Sequence, residues 1–200
     1  MRLTTALQQT GYDMRIQPKP INQYPFFIRL FFAKQKRTYG KVLIPGLLWG
    51  RSKWVFATLA LLYGALNRKK SPLDPALRSM VTVRVSQINH CAFCIDINSA
   101  TLEKRGISEE KIMSLPDWRE SGFFTPEERI ALEYTEAITY TDGQITENMS
   151  TELANYFDDD AIVELTALIA FQNMSSKFNA ALDIPPQGFC HLAVLEKAQR

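Results

Sequence analysis

A helix-start signature occurs twice in this chain and constrains its fold more than any other feature. Thr125-Pro126-Glu127-Glu128 joins a capping hydroxyl, a proline at the first helical position and a glutamate placed to bond back to the cap's own amide. Asp74-Pro75 repeats the cap and the proline. Behind the first, Ile130, Tyr134, Ala137 and Ile138 fall on one helical face; behind the second, Leu77, Val81, Val85 and Ile88 carry a helix to about Asn89. Val55, Leu59, Leu62 and Leu66 keep the same period, and the acidic run Asp158-Asp159-Asp160 opens a further helix through Ile162, Leu165 and Ile169.

The intervening segments agree with a helical fold. Phe26 to Phe32 and Val42 to Trp49 are too short and too continuously apolar for periodicity to choose, and their surroundings favour short helices. Ser108-Glu109-Glu110 starts another turn or two, Pro116 to Gly122 reads as a loop, and Pro185-Pro186 closes the helical region. No alternating strand pattern with hairpin turns and no solenoid repeat is present, so the expectation is an all-α bundle. A chain of 200 residues with 46% hydrophobic content can bury one core without disulfide staples. The organisation reads as an N-terminal arm over 1–25 that carries Pro18, Pro20 and Pro25, a single domain over 26–186, and a C-terminal tail over 187–200.

Charge and cysteine usage narrow the function. A formal charge of +2 gives no electrostatic reason to expect nucleic acid. The longest apolar run, Trp54 to Leu66, falls short of the roughly 20 residues a bilayer span needs, so a buried or subunit-facing helix is expected there and no membrane contact. Met1 to Thr10 is polar, which predicts no secretory leader and a cytoplasmic protein. An odd count of three cysteines fits a reducing compartment better than a secreted disulfide scaffold.

Two of those cysteines form Cys91-Ala92-Phe93-Cys94, the one motif that carries evident chemistry. Residues Ile95 to Arg105 contain no breaker and Gly106 offers a left-handed stop, so the motif opens a short helix. Thiols three apart on a helix can cycle between dithiol and disulfide, and unpaired amides at the helix start stabilise a thiolate. With Asn89 as the cap, Cys91 lies in the first turn and local electrostatics make it the more acidic thiol. The same spacing also serves zinc, and Cys190-His191 supplies two further ligand types, but adjacent residues seldom both reach one tetrahedral ion, so no metal and no cofactor is expected. Trp49, Trp54, Phe56 and Tyr63 either line a hydrophobic channel or serve core and interface packing, with packing the commoner role for such a stripe.

Three segments together resemble the carboxymuconolactone decarboxylase/AhpD-like family. They are Leu73-Asp74-Pro75-Ala76-Leu77-Arg78 leading through Val83 to Asn89 into the dithiol, Phe124 to Arg129 with Ala131 to Ala137, and Ile162 to Thr166 with Ala170 to Asn173. The resemblance spans most of residues 40–185. It implies an AhpD-like all-helical homo-oligomer whose dithiol reduces a peroxide or a partner protein's disulfide in antioxidant defence, with electrons from a thiol or lipoyl-bearing protein. In the AhpD pattern a histidine four residues after the second cysteine and a glutamate twelve before the first form a proton relay; those positions here hold Asn98 and Ser79. Asn98 can donate a hydrogen bond but cannot accept a proton near neutrality, and Ser79 is a poor base. His90, Asp96, Glu133, Glu136 and Glu164 are the candidate substitutes, with His90 first because imidazole titrates near neutral pH. Two other readings compete: a lactone decarboxylase-type enzyme of the same fold, and a non-catalytic redox-sensing or assembly protein.

Overall fold

In a computed structural model residues 14–192 are described, and among them the chain forms nine α-helices and no strand. Most of the expected arm and the last part of the expected tail lie outside those residues. The helices are α1 (Phe26–Tyr39), α2 (Ile44–Trp49), α3 (Lys53–Leu66), α4 (Pro75–Ile88), α5 (Ala92–Lys104), α6 (Glu109–Met113), α7 (Pro126–Thr139), α8 (Glu147–Ala154) and α9 (Asp159–Ala181).

The signalled starts are made as the side chains dictate. Asp74 accepts from the amides of Ala76 at 2.7 Å and Leu77 at 3.1 Å, and Thr125 and Glu128 close a reciprocal capping box at the head of α7. Asp158 caps α9 through the amide of Ala161 at 2.8 Å. Gly106, at φ 87°, ends α5 with paired bonds from its own amide to Glu103 and from Ile107 to Leu102, the Schellman arrangement. α1 runs a further two turns past the apolar stretch that announces it, to Gly40 at φ 75°, and α8 follows a Thr146 cap that the sequence reading passes over.

α4 is the central element, packed against α5, α7 and α9. Leu77, Val81 and Val85 face Ile130, Tyr134, Leu165 and Ile169, while Met80 and Val83 face Ile95, Leu102, Ile112 and Leu132. A third cluster joins Met14, Ile44, Leu48 and Ile184 around Cys91, Phe93 and Cys94. The described part of the expected arm is therefore tied down at Met14 and at Tyr24, whose hydroxyl donates to the Leu47 carbonyl at 2.8 Å. α3 is largely uncovered within the chain, with Trp54 73% and Leu61 74% exposed. No described helix is long and apolar enough to cross a membrane.

One buried charge cluster locks α4, α7 and the connector between α6 and α7. Glu136 accepts from Arg84 Nε at 2.7 Å, from Trp118 Nε1 at 2.9 Å and from Arg119. Burial opposes its charged form, yet the Trp118 bond and the two guanidiniums outweigh that and hold the carboxyl below its ordinary value of 4.5. A depressed carboxylate contributes stability that is present above its unfolded value and lost as pH falls through the folded one. Glu136→Gln is expected to destabilise the fold by about 3 kcal/mol at neutral pH and to flatten the fall in stability below pH 4.5. Denaturant unfolding from about pH 3 to 7 measures both, and an unchanged acid limb would reject the role of this cluster.

Candidate active site

The dithiol sits where α4 hands over to α5. Asn89 closes α4, His90 turns the chain at φ 50°, and Cys91 itself caps α5, its sulfur accepting from the Cys94 amide at 3.2 Å. Cys91 therefore stands just before the first turn rather than within it, because Asn89 is spent as the C-cap of α4. Cys91 and Cys94 are joined as a disulfide, with their Cα atoms 5.3 Å apart. Both are buried, at 1% and 3% exposure, but only Cys94 lines a cavity of about 550 Å³ between α1, α2, α3, α4, α5 and α9.

Three helices build the polar side of this cavity by the same device, a polar stripe at helical spacing. Ser79 and Thr82 of α4, Cys94, Asn98, Thr101 and Arg105 along or just beyond α5, and Gln172, Ser175 and Asn179 of α9 line it, with Ser86 of α4 fully buried one turn behind Thr82. Hydrogen bonds join the stripes. Gln172 Nε2 and Asn98 Nδ2 donate to Ser86 Oγ at 2.9 and 3.4 Å, Arg105 Nη1 donates to Ser79 Oγ at 2.6 Å, and Asn179 Nδ2 donates to Cys94 Sγ at 3.2 Å. Asn179 is buried, and its Oδ1 has no partner. The apolar side of the cavity includes Phe31, Trp49, Phe56, Leu59, Phe93 and Phe171, with Trp49 stacked on Phe178 at 3.6 Å between centroids.

The structure thus brings Cys94, Ser79 and Asn98 to one cavity and leaves His90 on the surface outside it. The other suggested bases are engaged elsewhere. Asp96 is fully buried and accepts from the amides of Gln187, Phe189 and Cys190 at 2.7, 2.7 and 2.8 Å, which clasps the tail against α5. Glu136 holds the Arg84 cluster, Glu164 pairs with Arg68 and Ser71, and Glu133 is exposed. No Asp, Glu or His lines the cavity among the described residues. Among those residues no cluster of three or more metal-ligating side chains occurs either. Cys190 packs against the Met80 and Ile95 cluster, where burial pushes its thiol up. Of the four aromatics singled out in the sequence, Trp49, Phe56 and Tyr63 line the cavity and Trp54 does not. Asn179 is the residue the sequence reading missed; its signal was the stripe Gln172, Ser175 and Asn179, polar side chains at spacings of three and four on one face of α9.

Comparison with known proteins shows the family and the fold. Residues 55–137 match the carboxymuconolactone decarboxylase family. The uncharacterized Escherichia coli protein YnjA is 43% identical over 173 residues, 86% of this chain and 95% of its own length. The chain belongs to the carboxymuconolactone decarboxylase/AhpD-like family. Its fold is that of an alkylhydroperoxidase AhpD-core protein from Ralstonia eutropha, with a TM-score of 0.81 at 19% identity over 90% of this chain and 95% of the other. A debrominase has the same fold, with a TM-score of 0.77 at 20% identity over 90% of this chain and 96% of the other. The fold class expected from sequence is the one found.

The Asn179 contact predicts a measurable effect on the reduced protein. A hydrogen bond to sulfur favours the thiolate, so Asn179→Ala is expected to move the pH midpoint of Cys94 alkylation upward by about one unit and to leave that of Cys91 in place. Mass-resolved alkylation across pH measures this. An unchanged Cys94 midpoint would show that Asn179 does not act on the sulfur.

Proposed function

We propose that the protein is a thiol-dependent oxidoreductase of AhpD-like type that reduces an organic hydroperoxide through Cys94, with Cys91 as the resolving thiol. The observation that carries this reading is that Cys94, alone of the pair, faces a cavity and receives a side-chain hydrogen bond there. A water occupies about 30 Å³ of liquid, so a space of about 550 Å³ is far larger than hydrogen peroxide requires and suits an organic substrate.

The reaction follows from the placement of the two sulfurs. The Cys94 thiolate attacks the terminal oxygen of R–O–OH, the O–O bond breaks, and the alkoxide leaves and takes a proton from water. Cys94 then carries a sulfenic acid. Cys91 attacks that sulfur, the S–S bond forms, and the hydroxyl departs as water with the Cys91 proton. An external dithiol on a thiol or lipoyl-bearing protein returns two electrons and becomes a disulfide itself. Asn179 offers its donor to the thiolate and its unpartnered Oδ1 to the hydroperoxide O–H. Asn98 and Ser79 hold the places of the family's relay residues and orient groups without exchanging protons, so the chemical step forgoes the roughly 10²- to 10⁴-fold that general acid-base help supplies. The absence of Asp, Glu and His from the described cavity wall gives the decarboxylase alternative little support, because that chemistry works through acid and base groups. Exposed Phe26, Leu30, Trp54 and Leu61 support the homo-oligomer that the family resemblance implies.

The reading is tested by cysteine variants assayed with cumene hydroperoxide and a dithiol reductant. Cys94→Ser is expected to lose all turnover. Cys91→Ser is expected to complete one turnover and to hold a sulfenic acid on Cys94, detected by dimedone labelling and mass spectrometry. Turnover retained in Cys94→Ser, or label found on the sulfur of Cys91 in that variant, would overturn the assignment.

A further inference from the structure

The cavity has an unbalanced charge that the dithiol chemistry does not use. Lys34, Arg78 and Arg105 all line it, and no Asp or Glu does among the described residues. The chain as a whole is nearly neutral, at +2, so this excess is local and not a reflection of a basic protein. Arg78 is only 6% exposed and forms no ion pair among the described residues. Its Nη1 donates to the Leu66 carbonyl at 2.8 Å and, at 3.5 Å, to that of Arg68, which caps the end of α3, while its Nε is buried with no partner. Arg105 likewise forms no ion pair among the described residues; its Nη1 donates to Pro75 O and Ser79 Oγ. The two acids whose charge reaches them hydrogen-bond elsewhere: Glu164, held down in part by the charge of Arg78, pairs with Arg68 and Ser71, and Asp74, which partly offsets the charge at Arg105, caps α4. Burial, and after it the charge of Arg78, depress the Arg105 pKa and outweigh a smaller opposing pull from Tyr63 and Asp74, as expected for two guanidiniums that face a common space.

Like charges gathered in a partly desolvated wall are costly unless an anion completes them. We propose that Arg78, Arg105 and the Ser79 hydroxyl form an anchor for a carboxylate, and that the occupant of the cavity is an amphipathic organic acid with an apolar body. A planar guanidinium is suited to a carboxylate, which accepts two parallel N–H bonds. The aromatic wall of Phe31, Trp49, Phe56 and Phe171 receives the apolar body. α5 sets the length of that body. Cys94 stands in its first turn and Arg105 just past its last, both on the cavity face, and eleven residues of helix rise about 16 Å. With the arginine side chain reaching part of the way, a body of several carbons is needed to join the two ends, and a two-carbon acid is too short. As a statement about substrate this rests on the peroxidase reading: the hydroperoxide reduced at Cys94 is then one that carries a carboxylate at its far end.

The test uses binding, so that it does not depend on turnover. The oxidised wild-type protein and the Cys94→Ser variant are titrated by calorimetry with decanoate, with decanol as the same body without charge, and with acetate as the charge without a body. Decanoate is expected to bind roughly tenfold to a hundredfold more tightly than decanol, the size of a charge-assisted contact, and acetate to give no measurable heat. In Arg105→Gln, with folding checked by circular dichroism, most of the decanoate preference is expected to vanish. Equal binding of decanoate and decanol by the wild-type protein would overturn the anchor whether or not that variant folds. Acetate that binds as well as decanoate would overturn the amphipathic occupant. A decanoate preference that persists while hydroperoxide turnover proves independent of Cys94 would retain the anchor and reject the peroxidase reading; Cys94-dependent turnover without the preference would do the reverse.

Discussion

The structure depends on α4 being enclosed on nearly every side. A helix in that position cannot leave polar side chains to water, so Arg78, Ser79, Ser86 and Gln87, all buried, must find partners on the helices around it. They find them on α3, α5 and α9 and on Arg84 of α4 itself. Each such bond limits how far the neighbouring helix can slide or rotate, because a slip of one turn would strand a buried donor or acceptor. The polar seam thus fixes the register of α5 and α9 on α4, and with it the position of Cys94 beside Asn179.

The same seam explains the chemical character of the site. Its members are amides, hydroxyls and guanidiniums, groups that donate, accept and orient but do not exchange protons near neutrality. The carboxylates that might have done so serve the architecture. Asp96 clasps the tail through three amides, and Glu136 ties α7 to Arg84, Trp118 and Arg119. Cys94, set among neutral donors in a cavity whose described wall carries positive charge and no carboxylate, has groups beside it that can hydrogen-bond an anion but none that would pass a proton.

Sequence and structure agree wherever the controlling interaction is local. The caps at Asp74, Thr125 and Asp158 are formed by residues within three positions of one another, and the Gly106 stop needs only a left-handed backbone. They diverge where a longer contact decides. The α4–α5 junction is divided by the needs of two helix ends at once, so Asn89 becomes a C-cap and Cys91 takes over the N-cap expected of it. The end of α1 and the existence of α8 escaped because neither carries a sustained apolar stripe. Asp96 could not be distinguished from a catalytic carboxylate, since its partners are the amides of residues more than ninety positions away.

The sequence by itself determined the helical class, the main helix starts, the dithiol and the family to which these segments point, because each is written in neighbouring residues or in spacings of three and four. Only the tertiary structure decided which sulfur meets the cavity, that Asn179 touches it, and that Arg78 and Arg105 face the same space as the aromatics. Those facts depend on how α3, α4, α5 and α9 are turned about their axes, and that rotation is set by side chains that meet across the core from distant parts of the chain.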